Sequence, residues 1–405
     1  MITLDEALQR LQGFAPLGAE SVPLRDALGR VTASAIESPV DLPLGDQSAM
    51  DGYALRSADT ATASRDAPVE LRLGHELHTG QPPGELGEPN TAVRIGTGGW
   101  LPAGADAIVA QEDATRSGQR LTLSAPVLAG RHLRRRGETL RRGQQLLQAG
   151  TRLGPGALGL LAQCGVDRLD CVRRPRVAIL TTGSELRPPG RQLKPGQAFE
   201  CNGALVAAAV ALEGGEVVAT EHCPDDAAAT RQAVDRLAAD SDLLITTGGV
   251  SVGDADHVVA AAEAGGFTQL FWRVAQKPGK PLLLARRDGA VLLGIPGNPA
   301  SVFTVTGLHL AVLLRQLGGR DATPNWLAGR LHTPINADAR RVRLLRVRLQ
   351  PQTADSAPIL EPLPRQGSHE LIGAETVDGF ARIDPCHDGL SAGTAVRWIA
   401  LPSRT

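Results

Sequence analysis

Between residues 175 and 322 short apolar runs alternate with helical stretches, and no other feature limits the fold of this chain so strongly. "PRVAILTTGSEL" reads as a strand that ends in a glycine turn. "ALVAAAVALEGGEVVATEHCPDD" reads as a helix, a Gly-Gly stop and a second strand. "AAATRQAVDRLAADSDLLITTGGVSVGDADHVV" and "AVLLGIPGNPASVFTVTGLHLAVLLRQLGG" repeat the pattern. Such alternation predicts βαβ units and a parallel sheet with both faces covered. Ligands of these sheets bind beyond the carboxyl ends of the strands. Three strand ends carry unusual turns: "AILTTG" before Ser184 and Glu185, "LLITTGG" before "VSVGDADH", and "LLGIPGNPAS" before a long helix. In the last, Asn298 is placed as an N-cap and Pro299 at the first helical position. Such a helix start offers free N–H groups to an anion. Gly248, Gly249 and Gly297 would let backbone approach a ligand closely.

Just before the last of these strands stands "VAQKPGKPLLL", with Lys277 and Lys280. The chain has 42 basic residues, of which only Lys194, Lys277 and Lys280 are lysines. A chain that uses arginine for generic positive charge has kept two compact ammonium groups side by side, which points to a small oxyanion or phosphate partner. The carboxylates nearest the turns are Glu185, Asp225, Asp254 and Asp256. "GDADH" could offer one carboxylate to Mg²⁺ bound with substrate phosphates, the usual way this ion is held. Asp254 reads as a helix cap, Asp256 as functional, and His257 as packing. There is no P-loop and no nucleophilic triad pattern.

The rest of the chain divides by texture. Residues 42–139 are rich in Gly and Pro with short alternating runs, a β-rich unit. "DQSAMDGYAL" holds Met50, the only internal methionine, and Tyr53, the only tyrosine; both could simply pack a small β core. After residue 322 alternating runs such as "RRVRLLRVRLQ" predict a terminal all-β domain, with "QPQTADSAPILEP" as an exposed hairpin tip. The first helix is expected at "MITLDEALQRLQG", with Thr3 and Glu6 at capping-box spacing and Leu4, Leu8 and Leu11 on one stripe. That start is acidic and does not read as a targeting segment.

Net charge is −1, so no global field draws the chain to nucleic acid or membrane. "RHLRRRGETLRR" carries six arginines with no aromatics between them, which suits a solvated face or the rim of an anion site better than nucleic acid. "FTVTGLHLAVLL" is broken by Thr, Gly and His, so no membrane span is predicted. Five cysteines without a CxxC pair suit a reducing, cytoplasmic setting and give no metal spacing.

Taken together, "SAMDGYA", "RIGTGGWLPAGADAIVAQE", "GLLAQCGV", "PRVAILTTGSEL", "TTGGVSVGDAD", "QKPGKP", "PGNPAS" and "GSHEL" resemble the molybdopterin molybdenumtransferase family, which includes bacterial MoeA and the E-domain of gephyrin. The resemblance implies a multidomain α/β chain. Residues 1–41 and 140–172 would form an elongated helical arm, 42–139 an inserted β-rich domain, 173–322 an α/β molybdopterin-binding domain, and 323–405 a C-terminal β-barrel. It implies a homodimer whose site is shared between subunits. It also implies insertion of molybdate into adenylylated molybdopterin with Mg²⁺, releasing AMP. Partners would be a molybdopterin adenylyltransferase and molybdoenzyme maturation proteins.

Carried over by motif, Asp51, Asp225, Asp256, Lys277 and Lys280 would be catalytic, with Asp225 and Asp256 on the metal and the lysines on molybdate. The candidate substrate-binding residues are Thr97, Arg134, Ser184, Glu185, Gly248, Gly249, Ser251, Pro296, Gly297, Asn298, Pro299, Ser301 and Ser368. The sequence departs from the family pattern at Thr139, where an acidic residue is usual, at Trp100, and at Glu200–Cys201–Asn202, which keeps a carboxylate. Thr139 leaves open a molybdopterin-binding or scaffolding paralogue with weak metal insertion. The pterin-adenylylating module, which the α/β domain also resembles, leaves open an adenylyltransferase.

Overall fold

The computed structural model describes residues 1–251, 253, 256–351 and 357–402. Asp254, read as a cap, and residues 352–356 of the expected hairpin tip lie outside the described residues.

Six strands form the central sheet, in the order Glu216–Cys223, Arg176–Thr182, Leu243–Thr247, Ala290–Ile295, Leu283–Arg287, Thr268–Trp272. The first four are parallel, as the alternation predicts. The last two are not: Leu283–Arg287 runs antiparallel to Ala290–Ile295, and Thr268–Trp272 antiparallel to Leu283–Arg287. The cause is local. Only Asp288 and Gly289 link the Leu283–Arg287 and Ala290–Ile295 strands, and Gly289 has φ +77°. Asp-Gly between two apolar runs is a hairpin signal, and a two-residue link cannot make a parallel crossover.

Alternate side chains of each central strand serve opposite faces. Val177, Ile179, Ile245 and Leu293 pack towards the helices Asn202–Leu212 and Pro299–Leu317. Ala178, Leu180, Leu244 and Leu292 pack towards Ala227–Ala239 and Val258–Ala264. The Pro299–Leu317 helix has a π turn at Thr306–Leu310. It is apolar and long enough to cross a bilayer, but most of it is buried in the protein. At Gly307 an added Cβ would stand 2.6 Å from the Phe380 ring, so glycine there lets the barrel dock on the helix.

The expected first helix forms at Leu4–Leu11 with both halves of its capping box. It does not belong to the arm. Leu4, Leu8 and Leu11 are buried in the same core as Val312 and Leu313, each contributing roughly 1.5–3 kcal/mol by burial. The arm itself is mostly strand pairs. Ala19–Pro23 pairs with Arg168–Val172, and Ile36–Glu37 with Gln145–Leu147; Pro155–Gln163 supplies one helix. Glycine or proline at 16, 18, 23, 29, 143, 150 and 154 interrupts longer helices there.

Residues 52–123 form a second six-stranded sheet around Tyr53, Leu55, Leu71, Val109 and Leu121. Tyr53 thus packs the small core, whereas Met50 is 37% exposed. The chain enters and leaves this unit side by side. Leu42 N–H donates to Leu140 O at 2.7 Å and Leu140 N–H returns to Leu42 O at 3.1 Å. Asp41 accepts from Arg136 Nε at 2.7 Å and Arg142 N–H at 2.9 Å, and Asp46 from Arg135 Nη1 at 2.6 Å and Arg136 N–H at 2.9 Å. Arg131 pairs with Asp113 at 2.9 Å. Half of the arginine run is therefore bound to carboxylates across this junction and on its own sheet.

At the C-terminus Val342–Leu349, Ile359–Pro362, Leu327–Leu331, Ala395–Ala400 and Gly379–Ile383 close into a five-stranded barrel. A short strand, Gln276–Lys277, leaves the α/β domain and pairs in parallel with Val342–Arg343 at the barrel edge.

Candidate functional site

A cavity of about 490 Å³ lies beyond the carboxyl ends of the parallel strands. Ten of the sequence-predicted residues meet in its wall: Glu185, Asp225, Gly248, Gly249, Ser251, Asp256, Pro296, Gly297, Asn298 and Pro299. Ser184 is tied to it. Its N–H donates to Asp225 Oδ2 and its Oγ accepts from Asp225 N–H, both at 2.9 Å. This reciprocal clamp fixes the Asp225 carboxylate on the turn after Arg176–Thr182, and among the described residues its second oxygen has no donor. Asp256 Oδ2 accepts from Gly253 N–H at 2.6 Å, closing the turn before the Val258–Ala264 helix.

The glycines act differently from the expectation. Gly248 has φ +87°, and a Cβ there would lie 2.6 Å from Thr182 Oγ1. Gly249 has φ +65° and would strike Val258 Cγ2 at 2.8 Å. Glycine is required because the chain's own atoms already fill that space; the close approach is to protein.

The helix start at Pro299 is also already engaged. Ser368 O accepts from Ala300 N–H at 3.0 Å and Ser301 N–H at 3.3 Å, so the barrel's own carbonyl takes the place foreseen for a phosphate. Asn298 occupies the N-cap position without a side-chain cap; its Nδ2 donates to Ser368 Oγ at 3.2 Å. Ser301 is 3% exposed and does not line the cavity. Arg346 of the barrel, 2% exposed, donates to Arg365 O at 2.8 Å and Gly367 O at 3.2 Å and also to Glu370 O, which immobilises the loop carrying Ser368.

Lys277 and Lys280 are exposed and outside the cavity wall, but Pro281, next to Lys280, is part of it. Neither lysine pairs with a carboxylate among the described residues. Asp51, Thr97 and Arg134 lie on the inserted domain. Asp51 Oδ1 accepts from Thr97 N–H at 2.7 Å and from its Oγ1 at 2.8 Å. The Thr97 backbone N–H holds this carboxyl below the usual aspartate range, although it faces solvent. Arg134 is exposed on the strand paired with Gln47–Ser48, beside the same turn. Among the described residues no hydrogen bond or ion pair joins residues 47–131 to residues 176–351. Thr139 sits at the junction, exposed, with its N–H on Leu42 O at 3.0 Å.

Thr182, Phe199 and Pro281 also line the wall and were not singled out from sequence, while Glu200 and Asn202 were noted only as part of a departure from the family pattern, without a site role. Glu200 Oε1 accepts from Gly203 N–H at 2.9 Å, and Asn202 Nδ2 donates to Gly297 O at 2.8 Å. The second bond ties the helix after Glu200 to the Pro-Gly-Asn-Pro turn. A carboxylate and an amide just before an alanine-rich helix were the available signal.

A parallel-strand domain with a cavity at the carboxyl edge of its sheet, joined to an inserted β domain and a closed barrel, defines a class of multidomain α/β proteins that take their ligand at that edge. The matching family models are the MoeA N-terminal region (domains I and II) over residues 2–165, the probable molybdopterin binding domain over 178–316, and the MoeA C-terminal region (domain IV) over 328–401. The chain belongs to the MoeA, or molybdopterin molybdenumtransferase, family. It is 38% identical over 304 residues to molybdopterin molybdenumtransferase 2 of Mycobacterium tuberculosis, covering 74% of this chain and 75% of that one. It is 36% identical over 389 residues, 94% of each chain, to molybdopterin molybdenumtransferase of Synechococcus elongatus. The crystal structure of the molybdopterin biosynthesis MoeA protein from Pyrococcus horikosii superposes over 100% of both chains with a TM-score of 0.87 at 30% identity.

Proposed function

We propose that this protein inserts molybdate into adenylylated molybdopterin, forming molybdenum cofactor and releasing AMP. The observation that carries the reading is the single cavity ringed by Glu185, Asp225, Asp256 and the Pro296–Pro299 turn, with the lysine stretch at its rim. The pterin and its phosphates lie in the cavity. Lys277 and Lys280 bind the small tetrahedral oxyanion through compact, charge-assisted donors.

The residues present also suit Mg²⁺, which takes one or two carboxylates and completes its shell with water and phosphate oxygens. Among the described residues no protein donor reaches the second oxygen of Asp225 or of Asp256. These two carboxylates would hold the ion, which would neutralise phosphate charge as AMP departs. Among the described residues no cluster of three metal-ligating side chains exists, and two carboxylates with water and phosphate oxygens are the set that suits this ion.

The working form is a homodimer, with Asp51 and Thr97 of one subunit completing the site around Lys277 and Lys280 of the other. The lack, among the described residues, of a polar bond between residues 47–131 and residues 176–351 of one chain supports this arrangement. Because adenylylated molybdopterin must be supplied and the product delivered, an adenylyltransferase and maturation proteins are the partners. Five unpaired cysteines suit the reducing cytoplasm.

The test supplies purified protein with adenylylated molybdopterin, molybdate and Mg²⁺, then measures AMP release and activation of a cofactor-free nitrate reductase. Tight pterin binding without AMP release would support instead the scaffolding reading that Thr139 suggests. Adenylylation of molybdopterin from ATP would reassign the chain to the preceding step.

A further inference from the structure

The residue immediately before the lysine stretch is buried and only half satisfied. Gln276 is 0% exposed, and its Oε1 has no hydrogen-bond partner among the described residues. Its Nε2 donates to Gly279 O at 3.3 Å, spanning the turn between Lys277 and Lys280 from beneath. Gly279 has φ +89°, and a Cβ there would fall 2.6 Å from Gln276 Nε2 and 2.9 Å from Val305 Cγ2. The amide and the turn are therefore packed face to face, against the long helix.

Both ends of the turn are fixed as well. Lys280 O accepts from Val274 N–H at 2.9 Å and Leu282 N–H at 3.0 Å, and Val342 N–H of the barrel donates to Ala275 O at 3.0 Å. Gln276–Lys277 is itself paired with Val342–Arg343, so the part without strand pairing is Pro278–Gly279, and Gln276 is the side chain that reaches it. A buried amide oxygen without a partner costs stability that an apolar side chain of the same size would recover. The residue is therefore not explained by stability.

We infer that Gln276 is a positioning residue: its amide holds the Gly279 carbonyl, and through it the spacing and direction of Lys277 and Lys280 towards their oxyanion. This rests on the reading of the lysines as the molybdate site. Two rigid ends and a held middle make the ammonium pair a pre-formed site, whose affinity is not reduced by ordering of the loop on binding.

The test compares wild type, Gln276→Met, Gln276→Glu and Lys280→Ala. Met matches the glutamine in length and lacks the amide. Glu is isosteric and, when ionised, has no donor for Gly279 O. Thermal midpoints, half-saturating molybdate and the maximal rate of cofactor formation are measured for each, with calorimetric titration of molybdate alone as a direct probe. The expected result is that Gln276→Met is at least as heat-stable as wild type, needs about tenfold more molybdate, and keeps its rate at saturation within about twofold. Gln276→Glu should shift in the same direction, and it carries the comparison if the Met variant does not fold. If Lys280→Ala raises the molybdate requirement and neither Gln276 variant does, the positioning role is wrong and the lysine site stands. If no variant changes molybdate dependence, the lysine site itself is wrong.

Discussion

Gly248→Ala, on the cavity floor, sets backbone strain and steric overlap against a control that has strain alone. At φ +87° an alanine enters the left-handed region, at a cost of about 1–2 kcal/mol. Its Cβ would also lie 2.6 Å from Thr182 Oγ1 and 2.9 Å from Thr182 O. Thr182 cannot easily give way, because it is 9% exposed and its hydroxyl donates to Thr247 O at 3.3 Å. Overpacking of this kind adds roughly 1–3 kcal/mol, for a total of about 2–5 kcal/mol. Gly289→Ala is the control: φ is +77°, but nothing lies within 4 Å of the added carbon, so only the strain of about 1–2 kcal/mol remains. Urea denaturation followed by tryptophan fluorescence gives both losses. Pterin binding should weaken in the Gly248 variant and stay at the wild-type level in the Gly289 variant. Equal stability losses, within about 0.5 kcal/mol, would refute the claim that the turn is closed by its own atoms.

Glu213, 8% exposed, receives Arg315 Nε and Nη2 at 3.0 and 2.7 Å and is also bound by Arg320. Burial pushes its carboxyl up, but the two guanidiniums outweigh it and hold the pKa below the usual glutamate range. Its stabilisation is therefore present above the unfolded value of about 4.3 and is lost as pH falls through the lower folded value, so wild type should lose more stability on acidification than Glu213→Gln, read by denaturation at pH 6 and at pH 3. Mixing Asp51→Ala and Lys280→Ala subunits should restore part of the activity that each lacks; no recovery after verified subunit exchange would exclude a shared site. Lys280→Arg should need roughly ten- to a hundredfold more molybdate, the loss of a charge-assisted bond of about 1.5–3 kcal/mol, and an unchanged molybdate curve would show that any cation suffices. If a neighbouring group has replaced the acidic residue at the junction, Thr139→Asp should leave the rate of cofactor formation unchanged or lower, whereas a faster rate would show that the missing carboxylate limits it.

Local periodicity carried the fold furthest. The strand ends at Thr182, Thr247 and Ile295 stand where alternating apolar and helical runs put them, because each strand is buried on both faces. The antiparallel edge was less legible because Thr268–Trp272 lies between the stretches whose alternation could be read, and a five-residue run does not show its own direction. Asp288–Gly289 was the available cue that the order changes. At the site, carboxylates such as Asp225 could be read because a strand end selects few positions. The Ser368 carbonyl could not be. It reaches the Pro299 helix from a sequence distance of about seventy residues, through a backbone atom that every residue possesses. Arg346 was hidden for a related reason: its partners are carbonyl oxygens, which leave no mark in composition.

The paired entry and exit at Leu42 and Leu140 make the inserted domain a detachable module. Two residues that exchange both backbone hydrogen bonds are already as close as the ends of a hairpin, so a two- or three-residue turn could replace everything between them. The inserted sheet has its own core around Tyr53 and Leu121, and the arm has another around Val22, Leu153 and Leu169, so neither depends on the other for burial. A chain shortened in this way should retain the cooperative unfolding of the α/β domain and barrel while losing the Asp51 half of the site. An ancestor could have acquired the module by a single splice, without disturbing the protein around it.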